Sequence, residues 1–322
     1  MRPASSPKIG PVPGQTKPAP RRDRRGHDPE ERHRRNREAE QVAYQAARVV
    51  LDRAAARRDA GWKAAAEANR RRVLLLLALP GALGLAVMGI GFAYLPLLVV
   101  GAVLVIVWAI TASLTWTRSA SSLLAQLGGS APSAAAAAGY VSSLGAERLS
   151  DLTEGLCAVL GLPVPELRVL DDRAPNAIAV GRKHHDAAIV VTAGLLELLD
   201  RIELEGVLAH ELAHVKQLDV ASATIGASSV GHMLLAVGGA RGASWMEGPD
   251  REIRADVAGA STTRYPPGMI SALEKLAAIG DCRPSSVPPD VLARTSASWL
   301  IRFGTHGDDS AIPVRLDVLR EL

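Results

Sequence analysis

Five consecutive residues, His210-Glu211-Leu212-Ala213-His214, carry the most specific chemistry in this chain of 322 residues. On an α-helix, side chains four positions apart lie on one face about a turn apart, so His210 and His214 can aim both imidazoles at one point. Neutral imidazole nitrogen is a preferred ligand for zinc. Glu211 is rotated by about 100° from His210, which lets its carboxylate reach a water at a coordination position left open by the protein and take its proton. The pattern predicts metal-assisted hydrolysis of a polarised bond such as a peptide. The plainer reading of so short a motif is two packed or surface histidines that meet no metal. The flanking GVLAHELAHVKQLD favours the metal reading, because Val207, Leu208, Leu212 and Val215 form an apolar back that can seat the helix in a core.

A catalytic zinc ordinarily takes three protein ligands and keeps one position open, so another ligand must come from elsewhere in the chain. The segment REIRADVAGA at 251–260 places Glu252 and Asp256 four apart on an expected helix. Glu252 can then bind the ion while Asp256 orients one of the histidines from behind. His232 is the rival third ligand; it lies in the apolar stretch SSVGHMLLAV, where a lone histidine is more often a packed side chain.

These residues need a folded domain to hold them, and 140–322 is long enough to bury one. Helical periodicity runs over 144–160 and stops at GLPVP; LRVLDD, NAIAVG and AAIVVTAG then read as three short strands. A longer helix starts near Ile202, runs to about Leu218 and carries the histidine pair. The expectation is an α+β domain, mainly helical, with a small β-sheet. The stretch 118–139, ending in GGSAPSAAAAAG, reads as a linker.

Upstream, 73–117 contains no charged residue, which a soluble helix of that length would not tolerate. It is too long for one span of about 20 residues, and GFAYLP at 91–96 supplies a turn. An N-terminal transmembrane helical hairpin follows, with spans at roughly 73–91 and 96–117 and Trp116 at headgroup level. Arg57, Arg58, Lys63, Arg70, Arg71 and Arg72 crowd the entrance, so the N-terminus is expected to be cytoplasmic. Two spans return the 140–322 domain to the same side. The partners implied are the lipid bilayer and a multi-pass setting in the cell (inner or plasma) membrane.

Residues 38–72 read as an Arg/Ala-rich helix and 1–37 as a disordered basic tail, which carries most of the net charge of +4. The arginine run RRDRRGHDPEERHRRNR at 21–37 has no interleaved aromatic residue, which excludes specific nucleic-acid recognition from the expectations. Cys157 and Cys282, the two cysteines, lack metal-knuckle spacing and fit a reducing compartment. Oligomeric state is not legible.

With these motifs in hand, the chain resembles the HtpX-like membrane zinc metalloproteases, which are related to the CAAX prenyl proteases. The resemblance covers much of 176–281 and rests on NAIAVG, VTAGLLELLDRIELEGVLAHELAHVKQLD, REIRADVAGA and PPGMISALEKL. It implies a zincin-like domain holding one Zn2+ per chain, with His210, His214 and Glu252 as ligands, Glu211 as general base and Asp256 as support. It also implies protein or peptide substrates, including damaged or misassembled membrane proteins, and an edge strand of Asn176, Ala177, Ile178 and Ala179 that pairs with substrate backbone. The chain departs from the family at 220–241, which leaves room for one short apolar segment where relatives carry two more spans. Near the C-terminus, THGDDSAIPVRLDVLREL resembles the family's closing helix with residues inserted, and His306 is a candidate helper for the oxyanion; an exposed loop histidine is its plainer reading. Two rival classes stand beside the endopeptidase: a catalytically silent membrane scaffold or docking protein, and a binder driven by the basic tail. An intact set of ligands and base counts against silence.

Overall fold

Two long helices lead into the fold: α1 (Gly61–Ile90) and α2 (Leu95–Leu127), both apolar and long enough to cross a membrane. The computed structural model describes residues 61–75, 77–90, 95–227, 251–302 and 311–322. The expected basic tail, the 38–60 part of the Arg/Ala-rich helix, the 91–94 turn, His232 and His306 lie outside the described residues. No helix breaker interrupts 62–75, so the basic segment and the first span form one helix rather than two. The two helices meet through small residues. A Cβ added at Gly101 would come within 2.7 Å of the Met88 backbone, an approach that only glycine allows. The side chains facing away from that contact are apolar and exposed, among them Leu79, Ile90 and Ile106.

Where a linker was expected at 118–139, the chain is largely helical. Helix α2 continues to Leu127, and Ala120, Leu123, Leu124 and Leu127, spaced by three and four, are buried. After Gly128 and Gly129, helix α3 (Pro132–Ala138) has proline in its first turn followed by a run of alanines, the strongest helix formers, and Ala135 is fully buried. The alanines propagate helix, and Gly128, Gly129 and Gly139 punctuate it.

Helix α4 (Ser143–Leu160) is capped by the Ser142 side chain and ends at Gly161 in the left-handed conformation. Three strands follow, β1 (Glu166–Leu170), β2 (Ala177–Val180) and β3 (Ala188–Thr192), in the order β1-β3-β2. The central strand β3 runs parallel to β1 and antiparallel to β2. Both faces of β2 and β3 are covered, which is why these two strands read as nearly continuous apolar runs, whereas β1 is buried only at Val169 and Leu170. Val169, Ala177, Ala179, Ile189 and Val191 face the main core with α4 and the later helices. Leu170, Ile178, Val180, Ala188 and Val190 face the end of α2 instead.

Helices α5 (Ala193–Leu198), α6 (Arg201–Gln217) and α7 (Asp219–Ala227) complete the first half of the domain. Helices α8 (Arg251–Thr263), α9 (Pro266–Ile279), α10 (Pro289–Thr295) and α11 (Ala311–Arg320) form the second. Helix α6 runs through the middle, packed by α4, α8 and α9 and by β2. A capping box starts it: Asp200 accepts from the backbone of Ile202 and Glu203, and the Glu203 carboxylate accepts from the Asp200 N–H. Glu203 also accepts from Ser271 and Lys275 of α9, so one buried carboxylate both caps α6 and ties it to a neighbour. The fold class expected, a mainly helical α+β domain with a small sheet behind two apolar helices, is the one observed.

Candidate metal centre

Helix α6 delivers His210 and His214 one turn apart with their rings edge to face, centroids 4.7 Å apart. Helix α8 lies directly across them. A Cβ at Gly259 would stand 2.9 Å from the His210 backbone nitrogen, so the bare backbone of α8 is what lets Glu252 reach the pair. Nε2 of His210 lies 3.1 Å from Nε2 of His214 and 3.3 Å from the Glu252 carboxylate, and Nε2 of His214 lies 3.8 Å from it. One ligand atom from each residue falls within 4.8 Å of the other two, and all three residues are buried.

The opposite ring nitrogens are fastened separately. Nδ1 of His210 is 2.7 Å from Asp256, and Nδ1 of His214 is 2.9 Å from Asp219, the first residue of α7. A carboxylate at Nδ1 keeps a proton on that nitrogen, so that once an ion displaces any proton on Nε2 its lone pair faces the centre. Two acceptor nitrogens and a carboxylate then converge, and a cation is what suits such a donor set. The charge balance agrees. Glu211, Asp219, Glu252 and Asp256 are buried carboxylates, against two buried guanidiniums, Arg251 and Arg315. A divalent ion would make up that difference once it has displaced the proton from His210 and with Glu211 ionised. Arg302 approaches Glu252 at 3.4 Å from a more exposed position, where solvent screens it.

The surrounding charges also set the proton affinities. Burial pushes against ionisation of Asp219 and Asp256, yet His214 and Arg251 hold the first, and Arg315 and His210 the second, below the usual carboxylate range. Burial likewise opposes charge on Glu252, but the hydrogen bond from His210 and the charges of His214, Arg251 and Arg315 keep it well below that range. Burial and Arg251 lower His214. Burial would lower His210 too, but Asp256 overrides it and lifts the imidazole to about 9, so an incoming ion displaces a proton there.

Glu211 is the exception among these carboxylates. It is buried, neither oxygen has a hydrogen-bond partner among the described residues, and burial raises it to about 7. A buried carboxylate left without partners beside such a cluster has its acceptor capacity in reserve for a water or substrate.

Three supporting residues were not singled out from the sequence. Asp219 sits five residues after His214; Leu218, with φ of 56°, turns the chain left-handed and swings Asp219 back onto the ring. Arg251 pairs with Glu252 at 3.1 Å and approaches Asp219 at 3.5 Å. Arg315 of α11 grips Asp256 through Nε at 2.6 Å and Nη2 at 2.9 Å, and donates Nη1 to the Leu300 carbonyl. Asp219 and Arg251 stand at the edges of the quoted motifs and Arg315 in the closing helix, and nothing in their spacing marked them as parts of the site.

The edge-strand expectation needs correction. Asn176 and the β2 residues Ala177, Ile178 and Ala179 are buried, and the outer edge of β2 is already engaged: Ile178 forms a bridge with Trp299, and Leu300 N–H donates to the Ala177 carbonyl. The Asn176 side chain donates to the Cys282 and Ile301 carbonyls and accepts from the Ile301 N–H, so it closes the fold rather than facing a ligand. A non-local segment more than a hundred residues away claims that edge, which no local pattern reveals.

Residues 143–248 match peptidase family M48. The chain is similar to a "Protease HtpX homolog" of Dictyoglomus turgidum, 35% identical over 162 residues that span 40% of this chain and 53% of that protein. A homolog of the same name from Tropheryma whipplei (strain Twist) is 39% identical over 170 residues, 42% of this chain and 58% of the relative. Another, from Lactobacillus acidophilus, is 31% identical over 200 residues, 48% and 65% respectively. The chain thus spans about half the length, or somewhat more, of the curated relatives it matches. No solved structure matches. The likeness to HtpX-like metalloproteases of the M48 family therefore holds over the segment containing α4, the sheet and α6. The match to the family ends at residue 248, so the convergence of Glu252 on the histidines is an observation of the structure beyond that matched segment.

Proposed function

We propose that this chain, which shares its central segment with HtpX-like M48 metalloproteases, is a membrane-anchored zinc-dependent endopeptidase. The observation that carries the reading is the meeting of His210, His214 and Glu252 within 4.8 Å, with each histidine's far nitrogen tied to its own carboxylate. His210, His214 and Glu252 would hold one Zn2+. When bound, zinc supplies Lewis acidity that makes water more acidic and polarises a peptide carbonyl.

The chain's own residues do the rest. Glu211 accepts the proton of the attacking water and later returns it to the leaving amine. Its lack of competing partners and its raised proton affinity suit both transfers. Asp256 and Asp219 keep the imidazoles in the tautomer and orientation that leave Nε2 free. Arg315 and Arg251 restrain those carboxylates in turn.

The site belongs at the cytoplasmic face of the membrane in this reading. The support is the cluster of Arg70, Arg71 and Arg72 at the foot of α1, since basic residues stay on the cytoplasmic side of short spans. Proteins and peptides reaching that face are the substrates, misassembled membrane proteins among them. The scaffold alternative gains no support from a buried Glu211 with no hydrogen-bond partner among the described residues.

The test is cleavage of a casein-type substrate by purified full-length protein, compared with the chelated protein and with Glu211→Gln. The substitution should lower turnover by about 10²–10⁴-fold while zinc is retained. Equal activity in all three samples would remove the mechanism.

A further inference from the structure

Away from the histidine cluster, a cavity of about 480 Å³ opens where α1 and α2 meet the turn between β2 and β3. That volume falls in the range of roughly 300–1,000 Å³ common for small-molecule sites. Apolar side chains form its walls: Val73 and Leu74 from α1, Trp116 from α2, and Leu218 and Ala221 at the junction of α6 and α7. Arg70, Arg182 and Lys183 line it as well, and among the described residues no acidic side chain does.

The cavity's level along the two helices identifies its setting. Arg72 is the last charged residue before the uncharged stretch of α1, and Arg118 is the first after that of α2, so Val73 and Trp116 mark the same boundary from both sides. In a bilayer that boundary is the headgroup region, where tryptophan and basic side chains gather. The turn is fastened to it: Arg182 donates to the Trp116 carbonyl, pairs with Asp186 at 2.7 Å and lies 5.8 Å from the Trp116 ring centroid. Lys183 stands 5.9 Å from the same ring. Asp186 partly neutralises Arg182. Among the described residues, neither Arg70 nor Lys183 forms an ion pair, and both are exposed.

We propose that this cavity binds an anionic phospholipid, with the headgroup phosphate held by Arg70, Lys183 and Arg182 and the start of an acyl chain lying on Val73, Leu74 and Trp116. Apolar walls alone would accept any lipid tail. The cationic part of the lining at headgroup depth selects the negative one, because each basic group near the membrane surface is worth about 1 kcal/mol toward anionic lipid, roughly a fivefold change in affinity. The site is independent of peptide hydrolysis and would stand if that activity failed.

Native mass spectrometry of the full-length, detergent-solubilised protein tests it, with dioleoylphosphatidylglycerol, dioleoylphosphatidylcholine and inorganic phosphate as probes. The wild type should retain the glycerol lipid in preference to the choline lipid, and millimolar phosphate should not displace it. Arg70→Gln with Lys183→Gln changes two exposed side chains, so the fold should persist with an unchanged unfolding temperature. Retention should nevertheless fall by about twentyfold, roughly fivefold for each charge removed. Arg70→Lys with Lys183→Arg should restore it. Equal retention of the two lipids, or unchanged retention by the glutamine variant, would overturn the proposal. Failure of the charge-preserving variant to restore binding, or displacement of the lipid by phosphate, would do the same, the latter pointing to a plain phosphate site.

Discussion

Helix α6 has arginine, lysine, glutamate and histidine along its length, and Glu203, His210, Glu211 and His214 are all buried. Helix α2 has an uncharged stretch as far as Thr117, and Val99, Leu104, Ile106 and Ile110 stand about half exposed. One rule produces both arrangements: polar groups go inside only where partners await them, and a large apolar surface stays outside only where the surroundings are not water. In α6 the partners are Lys275 and Ser271 for Glu203, Asp256 for His210 and Asp219 for His214. Glu211, lacking such a partner among the described residues, is the residue assigned the reaction. In α2 the regime changes within one helix, because beyond Arg118 the apolar residues turn inward and pack on the sheet. The sequence-to-burial relation therefore reports the surroundings of each helix, a charge-balanced interior for α6 and, under the proposed membrane anchoring, lipid for the uncharged part of α2.

The contrast can be broken from either side. Arg315→Ala leaves Asp256 charged and buried without its main counter-ion, and should destabilise the domain by about 3–5 kcal/mol in denaturant unfolding; a loss under about 1 kcal/mol would show that α11 does not support the site. On the lipid side, Ile106→Arg places a charge near the middle of α2. It should cost about 2.5–3.5 kcal/mol of insertion, read as loss of the carbonate-resistant membrane fraction. Unchanged insertion would mean that this face does not meet lipid.

The smallest effect sharpens the comparison through pH. Burial opposes the charge on Glu203, but hydrogen bonds from Lys275 and Ser271 hold its carboxyl below the ordinary range. A lowered folded value stabilises above the unfolded pKa of about 4.3 and is lost as pH falls through the folded value. Glu203→Gln should therefore destabilise by about 1–2 kcal/mol at neutral pH, with the gap to wild type closing below about pH 4.3. A gap that persists at lower pH would assign the effect to packing rather than charge.

Legibility followed the range of the interactions. The histidine pair, its helix and the three short strands come from patterns within a dozen residues, and α6 is found at Arg201–Gln217 where spacing placed it. Glu252 was reachable too, because Glu252 and Asp256 share a helix face. Asp219 was obscured by Leu218, a residue type that rarely turns left-handed. Arg315 lies 59 residues from Asp256, and Trp299 and Leu300 lie over a hundred from the strand edge they cover, so neither partnership leaves a local trace. The helix at 132–138 did leave a local signal, the alanine run between Pro132 and Gly139, since alanine has the highest helix propensity.

The central claim is that two α6 histidines and an α8 carboxylate share one ion. Zinc quantified per chain in the purified full-length protein, alongside Glu252→Gln and Glu211→Gln, tests it most directly. The account predicts one zinc per chain in the wild type and in Glu211→Gln, with the metal lost or greatly weakened in Glu252→Gln. Full zinc occupancy in Glu252→Gln, with the protein folded, would contradict it.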